Sequence, residues 1–495
     1  MNGLEQVYQV SLGLLTDLYQ ISMAYAYWRS KTHEQEAVFN LSFRQNPFQG
    51  GYAVACGLEQ VIQYVENFRF SEEDICYLAT LKGSDEKELF SEEFLIYLKC
   101  LKLTVQIDAI EEGRLVFAQE PLLRVQGPLL ECQLLETALL NLVNFQTLIA
   151  TKAARVKMAA GQDRVIEFGL RRAQGIDGGL TAARAAFIGG SDATSNLLAG
   201  KIFGIPVTGT HAHSWVMSFK NEQEAFKEYS LAMPNNAVFL VDTYHTLDGV
   251  KYAIQAGKWL VSQGHKFMGI RLDSGDLTFL SIEARRMLDE AGFTKAEIIG
   301  SNDLDEHLIE DLKRQGAKID IWGVGTKLTT AYDQPALGGV YKLVATRRGK
   351  GKPWVPKIKL SEQVTKITTP GIQQVRRFSN NGHILYDMIY DVEEPPEMAN
   401  LVMIDPLDPT RQRKIPSSTA YEDLLVPVVR NGQRVYDARK LTEIRDRGIQ
   451  ERFTLHSTIR RFLNPHIYPV GLEQRLYKKR AKMILEYRGF QSLKL

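Results

Sequence analysis

Between residues 237 and 324 short apolar runs alternate with amphipathic stretches at a near-constant period, and this alternation limits the fold more than any other feature of the chain. Ala237 to Val241 reads as a strand and Leu247 to Gln263 as a helix that stops at Gly264. The pattern then repeats, with strands at Phe267 to Leu272, Glu297 to Ile299 and Ile319 to Val324. Helices at Leu277 to Ala291 and Leu304 to Gln315 fall between them, closed by Gly292 and Gly316. A glycine just past a helix supplies the left-handed conformation that ends it. Strands separated by helical crossovers lie parallel, so residues 136 to 345 are expected to form βα units around a parallel sheet or barrel.

The flanks read differently. At 495 residues the chain exceeds one ordinary domain. Residues 1 to 135 mix helical stretches (Leu58 to Phe68, Phe94 to Leu101) with alternating segments (Leu115 to Ala118, Leu122 to Val125), as in an α+β domain. Residues 346 to 495 carry many turn clusters and predict a smaller, partly β, C-terminal domain. It ends in a basic helix, GLEQRLYKKRAKMILEYRG, with Leu472, Leu476, Met483 and Tyr487 at helical spacing. That helix is expected to dock on the chain's own body rather than on nucleic acid or membrane.

Charge excludes several function classes. Sixty Lys and Arg stand against 58 Asp and Glu, a formal charge of +2, so no global footprint for nucleic acid or an anionic membrane exists. Any anion must be held by a local site. The four cysteines, Cys56, Cys76, Cys100 and Cys132, form no CxxC pair or zinc-spaced cluster. With no leader pattern and no long apolar run, a cytoplasmic location is expected.

The polar residues fall at strand ends: EFGLRR, THAHS, VDTYHT, RLDSGD, GSND and GVGTK each follow an apolar run. Parallel strands place such ends on one rim, so the six segments are expected to converge on a single mouth. In GVGTK, Gly323, Gly325 and Thr326 suit a phosphate cradle, although a plain glycine turn explains the pentad as well. Ser301 and Asn302 in GSND precede a helix, where either a phosphate or a simple N-cap fits. RLDSGD places Arg271, Asp273 and Asp276 in one turn, fit for a carboxylate or phosphate, ribose hydroxyls or Mg²⁺, or else for a surface salt bridge. Asp242 follows an apolar strand, where a carboxylate needs a partner or a catalytic task. His211 and His213 permit metal binding, phosphohistidine chemistry or a structural role. Phe168 with Arg171 and Arg172 suits a flat anionic ring, or a core Phe beside solvent-facing arginines.

Taken together, these segments resemble the nicotinate phosphoribosyltransferase family within the type II phosphoribosyltransferases. The resemblance runs from LLTDLYQ through FRQNPFQGGYAVACGLE, EFGLRRAQGIDGG, GGSDATSNLLAGKIFGIPVTGTHAHSW, LVDTYHT, GIRLDSGDL and GSNDLDE to GVGTKLTTAYDQPALGGVYKLV, with NPHIYPVGL adding to it. It implies an irregular α/β barrel between an N-terminal α+β domain and a smaller C-terminal domain, assembled as a homodimer with active sites near the interface. Tyr19 and Phe168 then resemble the aromatic pair that sandwiches the pyridine ring, and Arg271 and Thr210, with Arg171 nearby, the ligands of nicotinate. Asp242 and Asp273 resemble the carboxylates near the ribose and its Mg²⁺, and Gly325 and Thr326 the loop for the 5-phosphate, with Ser301 and Asn302 as further contacts. His213 matches the histidine that the family phosphorylates from ATP.

The resemblance also implies that nicotinamide-using relatives bring an Asp from the neighbourhood of Asp192 to the carboxamide. A carboxylate facing nicotinate's own would be repelled, so Asp192 is expected to point away from the ring or to be held by an Arg. The chemistry implied is nicotinate mononucleotide synthesis from nicotinate and phosphoribosyl pyrophosphate, coupled to ATP. Three rivals remain: the same fold acting on nicotinamide, a catalytically silent relative, and a metal-dependent barrel hydrolase using His211 and His213.

Overall fold

The computed structural model describes residues 10–437 and 439–490. Two compact units emerge: one runs from Ile149 to Pro335, the other joins the chain up to Leu148 with the chain from Ala336 onward.

The middle unit is built on six parallel strands: β1 (Arg164–Glu167), β2 (Ala193–Thr194), β3 (Val238–Leu240), β4 (Gly269–Leu272), β5 (Glu297–Gly300) and β6 (Ile321–Val324). Their spatial order is β2-β1-β6-β5-β4-β3. Helices Thr246–Ser262, Leu277–Glu290 and Glu306–Arg314 carry the chain between successive strands, as the period predicts. Asp276 and Asp305 cap the last two by accepting the amides of Phe279 and Leu308. The true cap of Glu306–Arg314 is therefore Asp305, five residues past the start of GSND. One sheet face gathers Ile166, Ile299 and Ile321, with Phe168, Ala193 and Val238 packed beside them. The strand expected at 205 to 208 survives only as a single parallel bridge between Thr194 and Val207. Among the described residues no ladder joins β2 to β3, so the mixed α/β architecture is present while its ring is not closed by hydrogen bonds.

Charges are buried within this unit in compensated form. Lys152 and Glu306 are both fully buried and their head groups lie 2.6 Å apart, with Arg155 also 2.6 Å from Glu306 and Asp333 pairing with Lys152 as well. Isolated, any of these charges would be too costly to desolvate.

In the other unit, sequence-distant segments share one seven-stranded sheet. Glu36–Phe43 pairs antiparallel with both Gly339–Arg347 and Leu123–Pro128, while Gln106–Ile110 pairs with Leu425–Arg430. The stretch from Gly339 thus belongs with the N-terminal strands, not with the βα units that precede it. A second sheet of six strands is entirely C-terminal, and its strand His383–Asp391 runs parallel to Val470–Glu473. Arg377, fully buried, ties the two regions by pairing with Asp387 and Glu451 and donating to the Leu115 carbonyl.

The terminal helix spans Gln474–Tyr487 and docks as expected. Leu472 and Leu476 are buried, and Lys479 on the basic face pairs with Asp391 and Glu394. Tyr487 departs from the expectation and is exposed. No described helix is long and apolar enough to cross a membrane.

Candidate active site

The strand ends of the middle unit do meet. Phe168 leaves β1 with its amide bonded to the Val324 carbonyl of β6, so the two loops start side by side. Gly323 makes room for the ring: a Cβ there would lie 2.7 Å from Phe168 Cδ2. A Cβ on Gly325 would lie 3.2 Å from the Phe168 carbonyl oxygen. The two glycines of GVGTK therefore serve close packing on Phe168 whatever else they bind. Lys327 of the same motif is committed to Asp305, 2.7 Å away.

Phe168, Arg171, Thr210 and Arg271 line one cavity of about 340 Å³, joined by Leu170, Ser195 and Gly209. That volume lies at the small end of ligand sites. The Arg271 guanidinium carbon stands 5.4 Å from the Phe168 ring centroid, a cation over an aromatic face. Its Nε donates to Ser301 Oγ at 2.8 Å and its Nη2 to Asp273 at 2.7 Å, which fixes the plane and leaves Nη1 toward other partners. Arg171 is exposed on the short turn Leu170–Arg172 and makes no ion pair among the described residues. The cavity thus carries one oriented cation, Arg271, and a second, Arg171, that is unpaired among the described residues.

Beside it lies a carboxylate network. Asp242, at the end of β3, accepts the Asp273 amide at 2.9 Å and the Ser274 hydroxyl at 2.6 Å through one oxygen. Its other oxygen, Oδ1, is buried without a partner. Asp273 is bonded to Arg271 and to the Ser301 hydroxyl. Burial pushes the Asp273 carboxyl up, but the Arg271 charge and these hydrogen bonds outweigh it and hold it below the usual carboxylate range. His213 Nε2 faces Asp273 Oδ2 at 3.8 Å, and its Nδ1 meets the Thr243 hydroxyl at 3.2 Å. The imidazole is 40% exposed, so solvent and solutes reach it.

Several partners escaped the sequence reading. Thr243 and Ser274 sit one residue beyond residues singled out, but nothing local marks them as the hydrogen-bonding partners of His213 and Asp242. Glu167 is buried directly before Phe168 and holds the Gly169 amide and the Thr194 hydroxyl. Burial raises its carboxyl above the usual range against those bonds. Glu222 is also buried; desolvation and the Asp242 charge push its carboxyl up to about 7.

Other placements separate the candidates. His211 is buried, with Nε2 accepting the Leu240 amide at 3.2 Å and Nδ1 facing the Ala212 carbonyl, so both nitrogens serve the backbone. A metal site built on His211 and His213 would break those bonds. Asn302 is exposed and adopts a left-handed φ of 100°. Thr326 opens the four-residue helix Thr326–Thr329 behind Gly325. Asp192 accepts from Lys157 Nζ at 3.0 Å and from the Val165 amide at 2.8 Å, at the start of β1, whereas Phe168 follows its far end. It is held by a Lys rather than an Arg, and is turned from the ring. Tyr19 belongs to the other unit, on helix Leu18–Arg29, where it is 49% exposed.

A parallel sheet whose C-terminal rim joins a cation-flanked aromatic slot to paired carboxylates and a glycine loop defines the class of a phosphoribosyltransferase. Three profiles of one family match the chain in succession: the nicotinate phosphoribosyltransferase N-terminal domain over residues 14–144, the nicotinate phosphoribosyltransferase family over 164–351, and its C-terminal domain over 372–480. Nicotinate phosphoribosyltransferase of Bacillus subtilis (strain 168) is 49% identical over 484 residues, covering 97% of this chain and 96% of that protein. The Homo sapiens protein of the same name is 36% identical, covering 94% and 95%. The crystal structure of human nicotinic acid phosphoribosyltransferase superposes with a TM-score of 0.81 at 32% identity, covering 94% of this chain and 99% of that one. The chain belongs to the nicotinate phosphoribosyltransferase family.

Proposed function

We propose that the protein joins nicotinate to the phosphoribosyl group of phosphoribosyl pyrophosphate, releasing pyrophosphate and forming nicotinate mononucleotide, the entry step of NAD salvage from nicotinate. The cavity carrying Phe168, Thr210, Arg171 and Arg271 is the observation on which this rests. An aromatic face with two guanidinium groups suits a flat ring bearing a carboxylate. The position of Asp192 at the opposite end of β1 removes the acid that would repel that carboxylate and favours the acid over nicotinamide.

The ring nitrogen is already a nucleophile and needs no general base. It attacks the ribose C1 as the bond to pyrophosphate breaks, with positive charge developing on the sugar. The protein contributes alignment and electrostatic stabilisation. Gly323, Gly325 and Thr326 are assigned to the 5-phosphate, with Ser301 and Asn302 nearby. The residues also fit a Mg²⁺ carried by pyrophosphate: Asp242 Oδ1 is buried without a partner, and Asp273 Oδ2 is not taken by Arg271. Such an ion would take oxygen ligands from Asp242, Asp273 and substrate, and would offset charge on the departing group.

His213 is assigned as the ATP-phosphorylated residue. Its ring attacks the terminal phosphorus of ATP, a P–N bond forms as the P–O bond to ADP breaks, and water later cleaves the phosphohistidine. Exposure, the Thr243 contact and Asp273 facing Nε2 support that role. A cytoplasmic homodimer with active sites near the interface completes the proposal.

The deciding assay follows product from nicotinate or nicotinamide with phosphoribosyl pyrophosphate, with and without ATP. Nicotinate is expected to be strongly preferred and ATP to stimulate turnover. Preference for the amide would overturn the substrate assignment. His213→Ala should retain slow ATP-independent synthesis and lose the stimulation; unchanged stimulation would remove the phosphohistidine.

A further inference from the structure

Glu167 closes β1 and is 1% exposed, yet it makes no ion pair among the described residues. Burial without a cation raises its carboxyl above the usual range. Neutral donors hold it instead: Oε1 accepts the Gly169 amide, and Oε2 accepts the Thr194 hydroxyl at 2.6 Å. One oxygen is committed to the loop that follows β1 and the other to the end of β2. An apolar side chain would fill this space at lower desolvation cost, whereas a carboxylate offers two strong acceptors at a fixed spacing.

Both donors lead to the walls of the 340 Å³ cavity. Gly169 sits between Phe168 and the Leu170–Arg172 turn, and it is wedged: a Cβ there would lie 2.5 Å from Thr329 Cβ, in the helix behind the phosphate loop. Thr194 is fully buried. Its amide donates to the Pro206 carbonyl and its carbonyl accepts the Thr208 amide, which holds the stretch that runs into Gly209 and Thr210. Ser195 follows it directly and donates its amide to the Glu167 carbonyl at 3.0 Å. Three stretches of wall, Phe168 to Arg171, Ser195, and Gly209 with Thr210, therefore each come within two residues of an atom bonded to Glu167 or Thr194. Glu167 itself lies behind these walls rather than in them.

We propose that Glu167 is a positioning residue for the nicotinate slot, its carboxylate clamping Gly169 to Thr194 so that the three walls keep the spacing a single pyridine ring fills. The inference rests on the reading of this cavity as the nicotinate site. A ring placed against an aromatic face and charged forks tolerates wall shifts of only about 0.5 Å before those contacts degrade. An acid that served stability alone would weaken both substrates alike or neither.

The test is steady-state kinetics, with a thermal melt of each variant, on Glu167→Met, Thr194→Val and Thr194→Ser. Met removes both acceptors at similar volume, Val removes the hydroxyl, and Ser keeps it. Thr194→Val should raise the KM for nicotinate about tenfold or more and leave that for phosphoribosyl pyrophosphate within about twofold, with Thr194→Ser close to the unaltered protein. Glu167→Met should be at least as impaired toward nicotinate, and adding Thr194→Val to it should change little, because the bond between them is lost only once. If Glu167→Met fails to fold, the contrast between Val and Ser at position 194 decides. An unchanged nicotinate KM in folded Thr194→Val, equal weakening of both substrates, or additive effects in the double variant would overturn the proposal. Absence of nicotinate turnover in the unaltered protein would sink the substrate reading, and this inference with it, so the two failures are told apart.

Discussion

His211 and His213 lie two residues apart in one hexapeptide and have opposite fates. The first is buried, bonded to the Leu240 amide, and pushed down to about 4 chiefly by desolvation. The second is open to solvent. Folding therefore requires neutral His211, whereas an unfolded chain protonates it near 6.5. Between those values the unfolded state holds more protons, so stability is intact above about pH 6.5 and falls as pH drops toward 4. The loss is on the order of 3 kcal/mol. Denaturant unfolding across that window checks this, and His211→Gln should flatten the dependence.

Arg271 and Arg171 make a second contrast. Arg171→Ala should raise the KM for nicotinate and leave the sugar donor unaffected. Arg271→Ala removes a charged partner worth about 2 kcal/mol or more and should weaken nicotinate far more than the donor. Equal loss for both substrates would reassign Arg271 to positioning Asp273. The residue types at these positions were legible in the sequence, because charged groups after apolar strands are costly unless used. Which histidine faces solvent was not legible from spacing, since the Leu240 amide that claims His211 lies 29 positions away.

At the scale of elements, β1 and β6 approach closely enough that Phe168 rests on the backbone of Gly323. Gly323→Ala should displace the ring, cutting nicotinate turnover at least tenfold and lowering the melting temperature by a few degrees. Steady-state kinetics and calorimetry read both, and unchanged turnover would show that the ring's position is immaterial. The βα period was readable because each helix from Thr246 to Arg314 buries one apolar stripe and is followed, two residues past its end, by a left-handed glycine. The strand expected near 205 was not, because it pairs only through the single bridge from Val207 to Thr194 and buries Ile205 alone, leaving Val207 exposed. Apolar runs report burial, and pairing depends on neighbours that local periodicity does not name.

For the whole molecule, the Arg377 cluster carries the most concentrated risk. Arg377→Ala would strand the buried Asp387 carboxylate and should cost about 3–5 kcal/mol, measured by chemical denaturation. The same unit joins strands near residues 36 and 339 and others near 106 and 425, which no reading of consecutive stretches anticipates. A fragment ending at Leu148 should therefore lack stable sheet by circular dichroism, and supplying the segment from Ala336 onward in trans should restore it.

That interleaving also sets an order of events during synthesis. The first strands leave the ribosome with one neighbour each still unmade, and 187 residues of the middle unit emerge before the first of those missing partners can. At about 5–20 residues per second the delay is roughly ten to forty seconds. Throughout it, the apolar edges of the early strands need shelter, which makes chaperone demand a property of where the chain was interrupted.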